Sequence, residues 1–177
     1  MIEVRTAHTA ELDTPVLDAV RTLLFDAFNG DFTDHDWDHT LGGIHAIAWD
    51  GGEVVGHASI VQRRLVHAGR ALRTGYIEGV GVRADQRRRG CGTALMVVLE
   101  RFVRGGYEVG ALGASEDGAA LYATRGWQLW QGTTWALNPA GRERTEDEDD
   151  CVYVLPVSAS LDLTGELTAD WRDGGAW

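Results

Sequence analysis

The sequence predicts an α/β fold on a central, largely antiparallel sheet flanked by helices. Three observations carry that reading. Apolar residues recur at helical spacing after Thr14 and again after Thr93. Apolar, β-branched runs stand between and beyond those segments. The turn residues Asp50-Gly51-Gly52 and His67–Arg70 are short enough to fold one such run back on the one before it. The resulting order is β-α-β-β-β-α-β-α-β-β.

After an opening strand, TPVLDAVRTLLFDAFNG reads as a helix. Thr14 is expected as its N-cap and Pro15 as its first helical residue, and Gly30 ends it. Val16, Val20, Leu23, Leu24, Ala27 and Phe28 form its apolar face. GDFTDHDWDHTLGG reads as an acidic loop. AIAWD and EVVGHASIVQRRLVH then form a hairpin, and ALRTGYIEGVGV follows the second turn as a further strand. TALMVVLERFVR is the next helix, YEVGALG a short strand and SEDGAALYATR a helix. WQLWQGTTWALN, an acidic loop and CVYVLPVS complete the sheet, and a polar tail ends at Trp177.

The chain has 177 residues, 44% hydrophobic and 24% charged, without internal repeat or composition break, so one domain over residues 1–177 is expected. The first residues lack a basic stretch followed by an apolar one, and no apolar run approaches the ~20 residues that span a bilayer. Cys91 and Cys151 are too few for a disulfide framework and lack metal-site spacing. A soluble cytoplasmic protein without membrane association is expected.

Charge is unevenly distributed. The formal net charge is −11 and every basic residue is arginine. Residues 60–104 hold ten arginines against Glu78, Asp85 and Glu100, whereas residues 1–59 hold eleven acids against two arginines. Residues 145–177 hold nine acids against Arg172 alone. A basic middle between acidic flanks suits a site with an anionic half and a cationic half.

The cationic half centres on GVGVRADQRRRGCGTAL, where an apolar strand meets three arginines, two glycines and a helix start. A helix start leaves backbone N–H groups unpaired at its partly positive end, and glycine lets a ligand approach them closely. Amides arranged in this way hold phosphate or diphosphate. Neither GxxxxGK[ST] nor GxGxxG is present. Gly79 and Gly81 are poor strand residues and point to a bulge or a close ligand approach.

Arg87-x-x-Gly90-x-Gly92, between an apolar strand and an apolar helix, resembles the acetyl-CoA motif of the GNAT superfamily of N-acetyltransferases. Leu121-Tyr122-Ala123-Thr124-Arg125-Gly126-Trp127 resembles its second motif. The segments GDFTDHDWDHTLGG, GYIEGVGVRAD and LYATRGW and the terminal DWR…W are similar to the aminoglycoside 2′-N-acetyltransferase family, from about Leu12 to Trp177.

That resemblance implies the GNAT acyl-CoA N-acyltransferase fold, a mostly antiparallel mixed sheet flanked by helices, with acetyl-CoA as co-substrate and no metal. It implies that Val80, Gly81 and Val82 pair with the pantetheine arm and that Arg87, Arg88, Arg89, Gly90, Cys91 and Gly92 hold the diphosphate. Glu78 would contact the substrate and relay the amine proton, through water. Tyr122, whose unperturbed pKa of ~10 lies above a thiol's ~8.5, would be the acid for the departing thiolate. Asp31, Asp36, Gly79, Asp147, Glu148 and the terminal carboxylate of Trp177 would receive a polycationic aminoglycoside, with Trp177 also counted among the catalytic groups. Gly113 and Ala114 stand where some relatives carry serine, and Glu148 where aspartate is common. A homodimer is implied as well.

Direct transfer gives Cys91 a backbone role rather than a nucleophilic one. His35 and His39 have i, i+4 spacing without a third ligand nearby, so a metal pair is not expected. Nucleic-acid binding is disfavoured by the overall charge, the single short basic run and the lack of interleaved aromatics. Another polyamine or amino-sugar acceptor, or a CoA-binding regulatory role without catalysis, remains open at this point.

Overall fold

A computed structural model describes residues 2–177, apart from the side chains of residues 116 and 117. The chain forms two compact units. The first comprises the residues through Val61 together with Ile77–Arg101, and the second comprises Gln62–Tyr76 and Phe102–Trp177.

In the first unit, β1 (Glu3–His8) pairs antiparallel with β2 (Ile44–Asp50), from Glu3↔Trp49 to His8↔Ile44. β2 pairs with the start of β3 (Glu53–His67) from Asp50↔Glu53 to Ile44↔Ile60, with a bulge at Ala48/Trp49. The turn between them places Gly51 and Gly52 at φ +59° and +87°, a region glycine enters without penalty.

Helix α1 (Thr14–Ala27) begins one residue earlier than the sequence suggests. Asp13 is its N-cap, accepting from the Val16 N–H at 3.1 Å, and Thr14 is already helical. Both residue types cap well, and the Pro15 that follows tolerates either the first or the second helical position. Val20, Leu23 and Leu24 are buried with Phe32 and Ile47, and Val16 and Phe28 pack on the margin of that cluster. The expected acidic loop instead contains α2 (Asp34–His39). Its capping box joins Thr33 and Asp36 reciprocally, which lets one turn of helix form in a strongly acidic stretch. α3 (Cys91–Gly106) starts in this unit, where Leu95, Met96 and Leu99 are buried.

The second unit contains the remainder of β3 and the first part of β4 (Arg70–Val82), joined by a tight turn with Ala68 at φ +49° and Gly69 at φ +75°. β4 runs parallel to β5 (Val109–Gly113) from Thr74↔Val109 to Tyr76↔Ala111. β5 pairs antiparallel with β9 (Val152–Pro156), which also carries the two-residue β6 (Gln128–Leu129). On the other side β3 pairs with β10 (Leu167–Ala169), which runs parallel to β7 (Thr134–Asn138); β7 forms a hairpin with β8 (Gly141–Arg144). Among the described residues most of these pairings are antiparallel, while β10–β7 and β4–β5 are parallel. The WQLWQGTTWALN stretch divides into β6 and β7, and the polar tail contributes β10. α4 (Glu116–Ala123) connects β5 to β6. Buried Trp130 secures the tail by donating its indole N–H to the Gly165 carbonyl at 3.1 Å.

Candidate active site

The arginine–glycine segment lies in the first unit. Gly90 accepts the first bond of α3, from the Ala94 N–H at 2.9 Å, so it occupies the N-cap position with no side chain to satisfy the first-turn amides. Its φ is +83°, and a Cβ built there would meet nothing within 4 Å. Arg88 is exposed and also left-handed, at φ +59°. Arg87 is committed locally: its guanidinium donates to the Val82 carbonyl at 3.1 Å and the Ala27 carbonyl at 3.0 Å. Arg89 donates to Gln86 Oε1 at 3.0 Å. The three arginines therefore divide between bracing the loop and facing solvent.

Cys91 is buried, and burial pushes its thiol pKa up, so it lacks the thiolate character of a nucleophile. A Cβ on Gly56 would lie 2.7 Å from Cys91 Sγ, which makes the thiol a packing contact of α3 on β3.

The two strand glycines have a packing cause as well. A Cβ on Gly81 would approach Leu24 Cδ2 to 2.7 Å, and one on Gly79 would approach Thr40 Cγ2 to 2.8 Å. The side-chain space at both positions is thus filled by the first unit's own residues, α1 among them. Gly79 also sits at φ +54°, a left-handed conformation outside regular strand geometry. Side chains on β3 reach the carbonyls around it. His57 Nδ1 lies 2.8 Å from the Gly79 oxygen, and Ser59 Oγ lies 3.5 Å from the Glu78 oxygen. His57 Nε2 contacts His45 Nδ1 at 2.8 Å, and His45 Nε2 contacts Thr9 Oγ1 at 2.7 Å. Both imidazoles are fully buried, and that desolvation lowers their pKa values, to about 4 for His45 and about 3 for His57. Glu78 and Val80 flank this point, partly exposed.

Of the early acids, Asp31 is exposed, whereas Asp36 Oδ2 accepts from the Thr33 N–H and hydroxyl, both at 2.7 Å. His35 and His39 share the short helix α2, and among the described residues no group of three potential metal ligands occurs. A cleft of about 890 Å³ lies between α1, the β2–β3 turn and the Arg83–Arg87 segment, with Val16, Leu23, Trp49 and Val54 on its walls. Among the described residues, Arg87 alone of the predicted site residues lines it.

The second unit holds the other candidates. Tyr122 is buried on α4, edge-on to Trp127 with ring centroids 6.3 Å apart. Burial pushes its pKa up to about 12. The hydroxyl therefore stays protonated, a hydrogen-bond donor more than a source of a fully transferred proton. Asp147 and Glu148 lie on a 3-10 turn, Glu146–Glu148. Burial raises the Glu148 pKa and Asp147 adds to the rise, while Arg172 opposes it. Asp149, next along, is structural: Arg144 holds its carboxyl down at about 2, and its Oδ1 accepts from the Thr134 N–H at 3.1 Å.

Trp177 folds back onto this loop, donating its indole N–H to Thr145 Oγ1 at 3.0 Å. A Cβ built on Gly113 would lie 3.5 Å from the Trp177 carboxyl carbon and 3.6 Å from the Tyr76 hydroxyl. The terminal carboxylate thus lies at the end of β5, where glycine leaves it room. Upstream, the tail is clamped by Arg63, whose Nε and Nη2 donate to Asp170 Oδ1 and the Asp170 carbonyl at 2.8 and 3.1 Å. Neither this clamp nor the buried histidine pair is read from the sequence. The histidines do leave a signal, a polar residue inside the apolar runs IHAIAWD and EVVGHASIV. Arg63 and Asp170 leave none, being 107 residues apart.

A family model described as an acetyltransferase (GNAT) domain matches residues 8–130. A protein named aminoglycoside 2′-N-acetyltransferase from Mycolicibacterium fortuitum is 46% identical over 177 residues, 98% of this chain and 91% of that one. Among solved structures, Escherichia coli ElaA superposes with a TM-score of 0.62 at 21% identity, over 87% of this chain and 99% of its own. The GNAT family N-acetyltransferase YhbS from E. coli, in complex with CoA, has a TM-score of 0.62 at 18% identity, over 94% and 88%. Eis1 from Mycobacterium abscessus has a TM-score of 0.63 at 23% identity over 76% of this chain, which spans 33% of Eis1. At these identities the structural likenesses establish the fold alone.

Proposed function

We propose a function from one premise: the chain belongs to the GNAT acetyltransferase superfamily and, within it, to the aminoglycoside 2′-N-acetyltransferases. It is an acyltransferase that moves an acetyl group from acetyl-CoA to the 2′-amino group of an aminoglycoside, and resistance to the drug is the consequence. The observation that carries this reading is identity approaching one residue in two along nearly the whole length of both chains.

The residues present fit the diphosphate of coenzyme A. Gly90 leaves the end of α3 uncovered, its first amides lack an N-cap side chain, and Arg88 adds an exposed cation. Arg87 and Arg89 hold the loop in shape, and Val80, Gly81 and Val82 offer backbone to the pantetheine arm. The bound thioester supplies the acetyl group. An amine at neutral pH is mostly protonated, so the carboxylate of Glu78 accepts its proton, through water. Tyr122 donates a hydrogen bond to the departing sulfur. Asp31, Asp36, the Gly79 backbone, Asp147, Glu148 and the Trp177 carboxylate receive the drug's ammonium groups, which carboxylates bind by charge-assisted hydrogen bonds. Asp36 does so with Oδ1, since Oδ2 is held by Thr33. Within the same proposal the protein acts in the cytoplasm as a homodimer; sedimentation velocity tests the second point.

The deciding experiment incubates the protein with acetyl-CoA and paired aminoglycosides that differ only at the 2′ position. Acetylation at the 2′ nitrogen of the amino member alone is expected. Acetylation elsewhere, or of both members, overturns the regiochemistry.

A further inference from the structure

The row Thr9–His45–His57–Gly79 has a single polarity when both imidazoles are neutral. A carbonyl only accepts, so the Gly79 oxygen requires a proton on His57 Nδ1. With both rings neutral, the form that full burial favours, His57 Nε2 is bare and His45 Nδ1 donates to it. His45 Nε2 is then bare in turn and accepts from the Thr9 hydroxyl. The Thr9 oxygen itself accepts from the Gly42 N–H at 2.9 Å. Four hydrogen bonds therefore run head to tail and end on one carbonyl, an arrangement in which each bond polarises the next.

At φ +54° Gly79 departs from strand geometry, and the donor its oxygen meets in this row is His57 Nδ1, 2.8 Å away. Left without a donor, a buried carbonyl costs free energy, and the peptide plane would turn to find one. Because the peptide is planar and trans, fixing the Gly79 oxygen on His57 points the Val80 N–H the opposite way. The same plane fixes the backbone one residue after Glu78.

We propose that Thr9, His45 and His57 are positioning residues for acetyl transfer. Their relay locks the Gly79–Val80 peptide plane, so that Glu78 and the Val80 N–H are presented in a single orientation. This inference rests on the proposed function.

The test has two arms. Long-range 1H–15N correlation spectra of the wild-type protein at neutral pH should show the Nδ1–H tautomer for both His45 and His57. An Nε2–H tautomer or an imidazolium at either position overturns the relay. The second arm compares His57→Leu, which removes the donor, with His57→Asn, whose amide nitrogen overlies Nδ1 and keeps it. His57→Leu should lower kcat about tenfold or more, with KM for acetyl-CoA changed less than about threefold, because a small misplacement of reacting groups is costly. His57→Asn should recover most of the loss and return the Gly79 and Val80 amide resonances to their wild-type positions. Equal kcat for wild type and His57→Leu, or equal impairment in Leu and Asn, overturns the proposal. Should His57→Leu not fold, Thr9→Val, at the partly exposed end, should still shift the Gly79 and Val80 resonances and lower kcat a few-fold; unchanged values overturn it. Absence of acetyl transfer by the wild-type protein refutes the proposed function instead, and the tautomers and resonances then decide the relay alone.

Discussion

The last residue of the chain is held by its own side chain: Trp177 donates its indole N–H to Thr145 Oγ1 at 3.0 Å, and that hydroxyl donates to Thr134 Oγ1 at 2.9 Å. Thr134 is also tied to Asp149, whose carboxylate is paired with Arg144. The acidic turn carrying Asp147 and Glu148 is therefore built on the same hydroxyl network that seats the C-terminus. In the proposed reaction the terminal carboxylate binds amine. Deleting Trp177, or extending the chain beyond it, should raise KM for the aminoglycoside at least several-fold while KM for acetyl-CoA stays within about twofold. Steady-state kinetics with each substrate varied in turn checks this, and equal KM values for the drug exclude the role.

Arg63 sets up a second prediction about the same tail. Its side chain is 5% exposed, it is paired with Asp170, and its Nη1 has no hydrogen-bond partner among the described residues. Asp170→Ala strands a buried charge, a change that costs about 3–5 kcal/mol when the partner is fully buried. Asp170 keeps about a third of its exposure, which favours the lower end. At about 2–4 °C per kcal/mol for a chain of this size, Tm should fall on the order of 10 °C. Arg63→Met combined with Asp170→Ala should recover part of the loss, because an apolar pair strands no charge. A double variant less stable than the single one contradicts this account, and calorimetry reads the difference.

These examples show what the sequence made legible. The α1 and α3 faces follow from apolar spacing, and the anion loop follows because Arg87–Gly92 are consecutive. α2 was hidden by its acids, although the Thr33-x-x-Asp36 capping pattern was there to be read. β8 and β10 were missed because they are three or four residues long and polar in part. The pairing of β10 with β3 also depends on residues far away in the chain, such as Leu167↔His67. The same distance conceals the Arg63 clamp. The glycines were read in the right place with half the reason. Gly79 does leave strand geometry, at φ +54°, but Leu24 and Thr40 fill the space at Gly79 and Gly81, and neighbours so far away in sequence leave no local pattern.

The buried histidines make stability depend on pH. In the unfolded chain each titrates near its ordinary ~6.5, whereas in the folded protein the values fall to about 4 and about 3. Between those limits the unfolded state binds protons that the native state refuses. The stabilisation is therefore complete above pH ~6.5 and is lost progressively as the pH falls toward 4 and then 3. The slope reaches about 1.4 kcal/mol per pH unit for each histidine. Denaturant unfolding at pH 7.5 and pH 5 should show the loss, and His57→Asn should reduce it. Identical slopes in wild type and variant exclude His57 as a source.

Cys91 supplies the final prediction, because it separates packing from chemistry. Its thiol is buried against Gly56, where a Cβ would come within 2.7 Å of Sγ, 3.3 Å of Leu95 Cδ1 and 3.4 Å of Ala48 Cβ. Cys91→Ala removes only the sulfur, so acetyl transfer should continue at a rate within about twofold of wild type. Gly56→Ala alone forces a methyl into the space the sulfur occupies, and overpacking of this kind costs about 1–3 kcal/mol. With both changes made, the methyl enters the gap the sulfur has left, and its two other contacts are tight but apolar. The double variant should therefore be more stable than Gly56→Ala by most of that cost, a departure from additivity that only residues in contact display. Additive losses would show that Cys91 does not fill the space at Gly56, and a large loss of kcat in Cys91→Ala would give the thiol a chemical part after all.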